Sequence, residues 1–175
     1  MKIACVLAEG FEDSEFKVPF DELNKAGYEV VVIGRKKGET LAGKQGKEKA
    51  KTDLAIGDAR PEDYQALFIP GGHSPDQLRV DPKFVEFTRA FIDRPIFAIC
   101  HGPQLLLTAG MVKGWRMTAW STIQVDLKYA GANVVDEEVV VDDNLVTSRK
   151  PDDIPAFVRR SLELLRQGAN THASA

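Results

Sequence analysis

Only two cysteines, Cys5 and Cys100, occur in the 175 residues. That scarcity excludes a disulfide-built scaffold and favours free thiols in a reducing compartment. Histidine is nearly as rare: His73, His101 and His172 are scattered, and no C-x-x-C pair accompanies them. No metal site and no cofactor requirement are therefore expected. An excess of one charge is missing too. Twenty-three Lys and Arg face 26 Asp and Glu, leaving a formal net charge of −3, so no broad basic field is available for direct nucleic-acid or membrane binding. A nucleotide-sized substrate stays compatible with this balance. No apolar run approaches the ~18 residues of a membrane-spanning helix. The opening strand Ile3-Ala4-Cys5-Val6-Leu7-Ala8 lacks the longer apolar core and cleavage site of a secretory leader, so a cytoplasmic protein is the expectation. Internal repeats and low-complexity tracts are absent as well.

What is present is ordinary globular composition, 43% hydrophobic and 28% charged. The length suits one domain, expected over 1–167, that buries roughly 70% of its unfolded-chain surface. Short apolar runs alternate with amphipathic segments, the pattern of a mostly parallel sheet flanked by helices. Strands are expected near 2–8, 28–33, 66–69, 95–99, 139–141 and 145–147, and helices near 13–26, 82–93, 101–109, 121–130 and 152–166. The Gly- and Lys-rich stretch 34–58 has weak periodicity and reads as a hairpin or irregular excursion. Asp152 or Asp153 is positioned to cap the closing helix, whose apolar face includes Phe157, Leu162 and Leu165. Residues 168–175 then read as a mobile tail with nothing to bury, which leaves His172 remote from any chemistry.

The strongest local signal is Pro95-Ile96-Phe97-Ala98-Ile99-Cys100-His101-Gly102-Pro103. An apolar strand ends at a reactive residue, and turn-forming residues follow at once. Ala98, Cys100 and Gly102 meet the small-x-nucleophile-x-Gly spacing of a nucleophile elbow, with Ala in place of the first Gly. A thiol there would sit at a helix N-terminus, and the His101 N–H would face a developing oxyanion. The helix dipole supplies only ~0.3–1 kcal/mol, well under one pKa unit. Ionising a thiol of pKa ~8.5 at neutral pH needs about two units or more, so a further donor or positive charge is required. Cys5, inside an apolar strand, reads as structural.

Three groups are candidates to serve this thiol. His101 is adjacent, but neighbours on a helix do not face each other, so a thiol–imidazole pair depends on the elbow itself. Gly10-Phe11-Glu12-Asp13-Ser14-Glu15-Phe16 follows the first strand, at the sheet edge where such loops converge. Acids in a first helical turn also complement the dipole, and spacing does not choose between Glu12 and Glu15. A carboxyl beside a thiolate must be largely protonated, as partial burial would keep it. Pro19 implies a kink or irregular start in that helix. Finally, Pro70-Gly71-Gly72-His73-Ser74-Pro75-Asp76 brings backbone close to a ligand, offers the Gly72 N–H as a second oxyanion donor, and places Ser74 as an N-cap before Pro75. It lacks the spacing of a phosphate-binding or dinucleotide loop.

Phe11-Glu12-Asp13-Ser14-Glu15, Pro70 to Asp76, Ala98 to Gln104, and Val146-Thr147-Ser148-Arg149 together resemble the ThiJ/PfpI family of the class I glutamine amidotransferase-like superfamily. The blocks fall in family order and extend over nearly the whole chain before the tail. The resemblance implies an α/β, flavodoxin-like three-layer sandwich that self-associates as a dimer or hexamer. It implies that Cys100 is the nucleophile, that Glu15 rather than Glu12 touches its sulfur, and that Gly72 and His101 supply the oxyanion N–H groups. In the protease-like branch His101 pairs with an acid from a neighbouring subunit; the matching position here is Asp76, where the archaeal protease has Glu. Glu12, His73 and Trp120 are implied to line the pocket, Trp120 standing where the family often has Tyr or His.

The leading expectation is a cofactor-independent cysteine enzyme of carbonyl-stress defence, a deglycase or glyoxalase acting on methylglyoxal, glyoxal or their early adducts on proteins or nucleotides. One alternative is a cysteine peptidase using Cys100, His101 and Asp76 across a subunit interface. The other is a redox sensor or holdase in which Cys100 oxidises without turnover.

Overall fold

Uninterrupted apolar runs in the central strands dictate a sheet covered on both faces. In the computed structural model, which describes residues 1–173 with side chains up to 168, the strands are β1 (Lys2–Val6), β2 (Glu29–Gly34), β3 (Thr40–Ala42), β4 (Lys49–Lys51), β5 (Leu54–Ala55), β6 (Ala66–Ile69), β7 (Ile96–Ile99), β8 (Arg116–Met117), β9 (Asn133–Val134), β10 (Val140–Asp142) and β11 (Leu145–Ser148). The helices are α1 (Asp13–Lys25), α2 (Ser74–Leu78), α3 (Pro82–Arg89), α4 (Pro103–Thr108), α5 (Ser121–Tyr129) and α6 (Ile154–Ala173). The main sheet runs β10-β11-β7-β6-β1-β2-β5, with every pairing parallel except β10 with β11. Alternate residues face opposite layers. Ala4, Val6, Leu67, Ile69, Ile96 and Ala98 pack toward Phe84, Phe87, Leu105 and Leu127, from α3, α4 and α5. Ile3, Cys5, Phe68, Phe97 and Ile99 pack toward Phe16, Leu23, Phe157 and Leu165, from α1 and α6. This is the flavodoxin-like three-layer sandwich.

The stretch 34–58 holds the expected hairpin, an antiparallel β3–β4 pair outside the main sheet, with β5 added to the sheet edge. Several other local expectations are corrected. Helix α1 runs unbroken through Pro19; the ring only removes the N–H that would have bonded the Glu15 carbonyl. Ser74 is the first residue of α2, not its cap, and its hydroxyl accepts from the Ala8 N–H at 2.9 Å. Asp153 does not serve as a plain cap either: it accepts the Arg149 N–H at 2.9 Å and pairs with the guanidinium at 3.0 Å, tying the end of β11 to α6. Helix α6 continues past Gly168 to Ala173, since the glycine cost of about 1 kcal/mol is too small to stop it. Residues 174–175, and the side chains from 169 on including His172, lie outside the described residues. No helix among the described residues is long and apolar enough to cross a membrane.

Candidate active site

Parallel strands deliver their C-terminal ends to one edge, and there the loops after β1, β6 and β7 meet. Cys100 follows β7 directly in the left-handed region, with φ 62°. For a residue with a side chain this costs of order 1–3 kcal/mol and persists only where the surroundings over-determine it. Here they do. The Cys100 N–H donates to the Ser148 carbonyl at 2.9 Å, and its carbonyl accepts from the Trp120 N–H at 2.9 Å. Gly102 completes the turn because a Cβ there would stand 2.6 Å from the Ile69 carbonyl oxygen. The expected elbow is present.

Glu15 is fully buried, and neither carboxyl oxygen meets hydrogen-bond geometry with another described group. Its neighbours are the Cys100 thiol and the Gly71 N–H, both close enough to act on its charge. Gly71 makes the room: a Cβ there would collide with Glu15 Oε1 and stand 2.8 Å from Cys100 Cβ. Burial pushes the Glu15 pKa up to about 8, against the opposing pull of the Cys100 thiol. The thiol is pushed up as well, first by burial and then by the carboxylate, while the His101 and Gly72 N–H groups, aimed at the sulfur, oppose the rise. The expected help from the helix dipole is slight, since α4 has six residues and begins with a proline that lacks an N–H. The two groups therefore titrate as a coupled pair.

His101 places Nδ1 3.4 Å from Cys100 Sγ, a contact made possible by the elbow. Burial first, then Lys44 and His73, lower its pKa against the pull of Asp76, so the imidazole is neutral at pH 7. A cavity of about 210 Å³ opens beside it, lined by Lys44, Gly72, His73, Asp76, His101 and Gln104. Asp76 lines the same cavity as His101, with no hydrogen bond between the two among the described residues. Glu12 and Trp120, both expected at the pocket, each touch a residue that lines it. Glu12 pairs with Lys44 at 3.0 Å beside an adjoining hollow. Trp120 stacks on His101 with centroids 6.2 Å apart and lines a second hollow with Arg149 and Lys150. Cys5 is buried in the core, where its thiol pKa is raised by burial and then by Asp53. Among the described residues no cluster of three or more His, Cys, Asp or Glu could hold a metal.

Two contributors escaped the sequence reading. Lys44 reaches the site from the β3–β4 turn, and nothing local distinguishes it from the solvated lysines around it. Asp13, singled out by the sequence only as one acid of a first helical turn, is buried and accepts the N–H groups of Gln45, Lys47 and Glu48 at 2.7, 2.9 and 2.8 Å. Burial alone would raise its pKa, but the N–H groups outweigh that and hold it below the usual range. Its stabilisation is present above the unfolded pKa and lost as pH falls through the folded one. Asp13→Ala is expected to cost about 2–4 kcal/mol near pH 7, read as a lower urea midpoint, with the deficit narrowing toward pH 3.

The family model described as DJ-1/PfpI family matches residues 1–164. "Protein/nucleic acid deglycase 2" of Escherichia coli is 52% identical over 94% of this chain and 97% of its own length. "General stress protein 18" of Bacillus subtilis is 54% identical over 95% and 98%. Among solved structures, a two-domain Anabaena variabilis protein with DJ-1/ThiJ/PfpI-like and ferritin-like domains superposes with TM-score 0.91 at 37% identity; the match covers 94% of this chain and 48% of that one. A sandwich with Cys100 strained at its strand edge, matched in sequence along almost its whole length, leaves one assignment: the chain belongs to the DJ-1/PfpI family.

Proposed function

We propose that this protein is a cofactor-independent cysteine enzyme of carbonyl-stress defence, acting in the cytosol on methylglyoxal, glyoxal or their early adducts. The observation that carries the reading is the pairing of Cys100, strained at φ 62°, with a buried Glu15 carboxyl whose pKa lies near 8. Such a carboxyl is protonated often enough at pH 7 to donate and ionised often enough to accept. Family membership, with a relative named as a deglycase, supports the reaction class.

The Cys100 thiolate adds to the aldehyde carbon of methylglyoxal, forming the C–S bond. The carbonyl oxygen becomes an oxyanion facing the Gly72 and His101 N–H groups and takes a proton from Glu15. The Glu15 carboxylate then accepts the C1 proton. Glu15 returns that proton to C2 while the C1 hydroxyl proton passes to the C2 oxygen, so C1 becomes a thioester carbonyl and the C2 ketone an alcohol, with no net change in oxidation state. Water cleaves the thioester, releasing lactate and restoring the thiol. With an early adduct, return of the repaired amine or thiol precedes the same sequence.

The test follows methylglyoxal loss and lactate formation in metal-free buffer. Cys100→Ser is expected to lower turnover by about 10³-fold or more. Undiminished lactate formation in that variant would sink the reading. The 3.4 Å contact between Cys100 Sγ and His101 Nδ1 favours a second reading, a peptidase. That reading takes over if a fluorogenic peptide is cleaved in a Cys100-dependent way while methylglyoxal is untouched.

A further inference from the structure

Building a thiolate at Cys100 needs a cation, because burial and the Glu15 carboxylate both oppose it. Lys44 is the only lysine or arginine among the six residues lining the cavity. Its presence there is not an accident of a long side chain, since its backbone is fastened on both sides. The Lys44 N–H donates to the Phe11 carbonyl at 2.8 Å, and the Gly10 N–H donates to the Ala42 carbonyl at 2.9 Å. Next to it, Asp13 collects the three N–H groups of the turn, and a Cβ at Gly43 would collide with that carboxylate. The ammonium is then aimed by Glu12, 3.0 Å away. Glu12 is itself held, through its N–H, on the Gly71 carbonyl at 3.1 Å.

We propose that Lys44 is a positioning residue for the Cys100 thiolate: the β3–β4 hairpin, pinned on Asp13, carries its ammonium to the cavity and sets the charge balance there. The inference rests on Cys100 acting as a thiolate nucleophile, and it goes beyond that reading by assigning the cation. The titratable groups at the thiol and around the cavity beside it are Glu12 just before α1, Glu15 from α1, His73 and Asp76 from the loop and helix after β6, His101 from the elbow, and Lys44 from the hairpin. His101 is neutral at pH 7, so Lys44 supplies the positive charge. The attraction is mutual, and Cys100 and Glu15 add to the Glu12 contact in raising the Lys44 pKa.

Alkylation of Cys100 by iodoacetamide, followed from pH 5 to 10 by intact mass, tests this without any assumed substrate. Cys5 has no exposed surface, so Cys100 gives the signal. In Lys44→Met the midpoint of the rate profile is expected to rise by about one unit, making alkylation at pH 7 about tenfold slower. Lys44→Arg keeps the charge and is expected to restore the profile to within about twofold. Asp13→Asn, with the turn loosened, is expected to shift the midpoint in the same direction by less. A Lys44→Met profile matching the parent protein would overturn the proposal, as would an Arg variant as slow as the Met one. An unchanged Asp13→Asn profile would remove the hairpin from it. Failure here, with Cys100→Ser still inactive on methylglyoxal, leaves the proposed reaction standing.

Discussion

Glu15→Gln is expected to lose activity by about 10²–10⁴-fold and to gain stability at pH 8. Both effects come from one buried carboxyl without a conventional partner. Its pKa rises from an ordinary 4.5 to about 8 on folding, so between those values the folded state holds more protons than the unfolded one. Stability is then greatest below the unfolded pKa and falls as pH rises toward 8. A shift of this size corresponds to at most about 5 kcal/mol. Glutamine cannot ionise, so it escapes that loss, although its amide also lacks a clear partner and gives back about 1–3 kcal/mol. The net expectation at pH 8 is a Tm several degrees above the parent, using about 2–4 °C per kcal/mol for a chain of this size. Below pH 5 the order reverses. Thermal unfolding of both proteins from pH 4.5 to 8.5 checks the crossing, and lactate formation checks the loss of proton shuttling. A variant that kept full activity would remove Glu15 from the mechanism.

The same carboxyl shows where a sequence is legible. The elbow at Cys100 was readable because all its determinants are local: an apolar strand, a nucleophile and a glycine two residues on. The choice of Glu15 over Glu12 was also available in principle. Glu15, Pro19 and Leu23 are buried at intervals of four along α1, so Glu15 lies on the apolar stripe, whereas Glu12 precedes the helix. That periodicity was obscured by reading the acids as a first-turn cluster. Lys44 was not available at all. It reaches the site through a hairpin folded back onto Asp13 about thirty residues earlier, and no spacing rule spans such a contact. Gly71 lies between these cases. Its neighbour Gly72 was assigned a donor role, but the need for an empty Cβ position at Gly71 appears only when Glu15 and Cys100 stand on either side of it. Nor did the residues after Gly102 reveal that α4 would be so short, which is why the dipole contributes less than a helix N-terminus at the elbow implied.

Gly71→Ala turns that empty position into a direct measure of how tightly the pair is built. Backbone strain is not the cause, since Gly71 is absent from the residues with positive φ. The added methyl meets Glu15 Oε1, Cys100 Cβ at 2.8 Å and the Ile99 carbonyl oxygen at 2.9 Å, so a side chain or the elbow backbone must move. Overpacking of this kind costs about 1–3 kcal/mol. Activity is expected to fall by about 10²-fold or more, because a displacement near 1 Å at reacting groups has that effect. The identity of the moving group is separable. If the methyl acts by displacing the carboxyl, shortening the acid must relieve it: Gly71→Ala combined with Glu15→Asp is expected to be more stable than the two single changes predict by summation, by about 1 kcal/mol or more. Urea midpoints of the four proteins close that cycle. Strict additivity would mean that the methyl is accommodated at Cys100 or the Ile99 carbonyl instead, and would place the tight contact of the site on the elbow rather than on the acid.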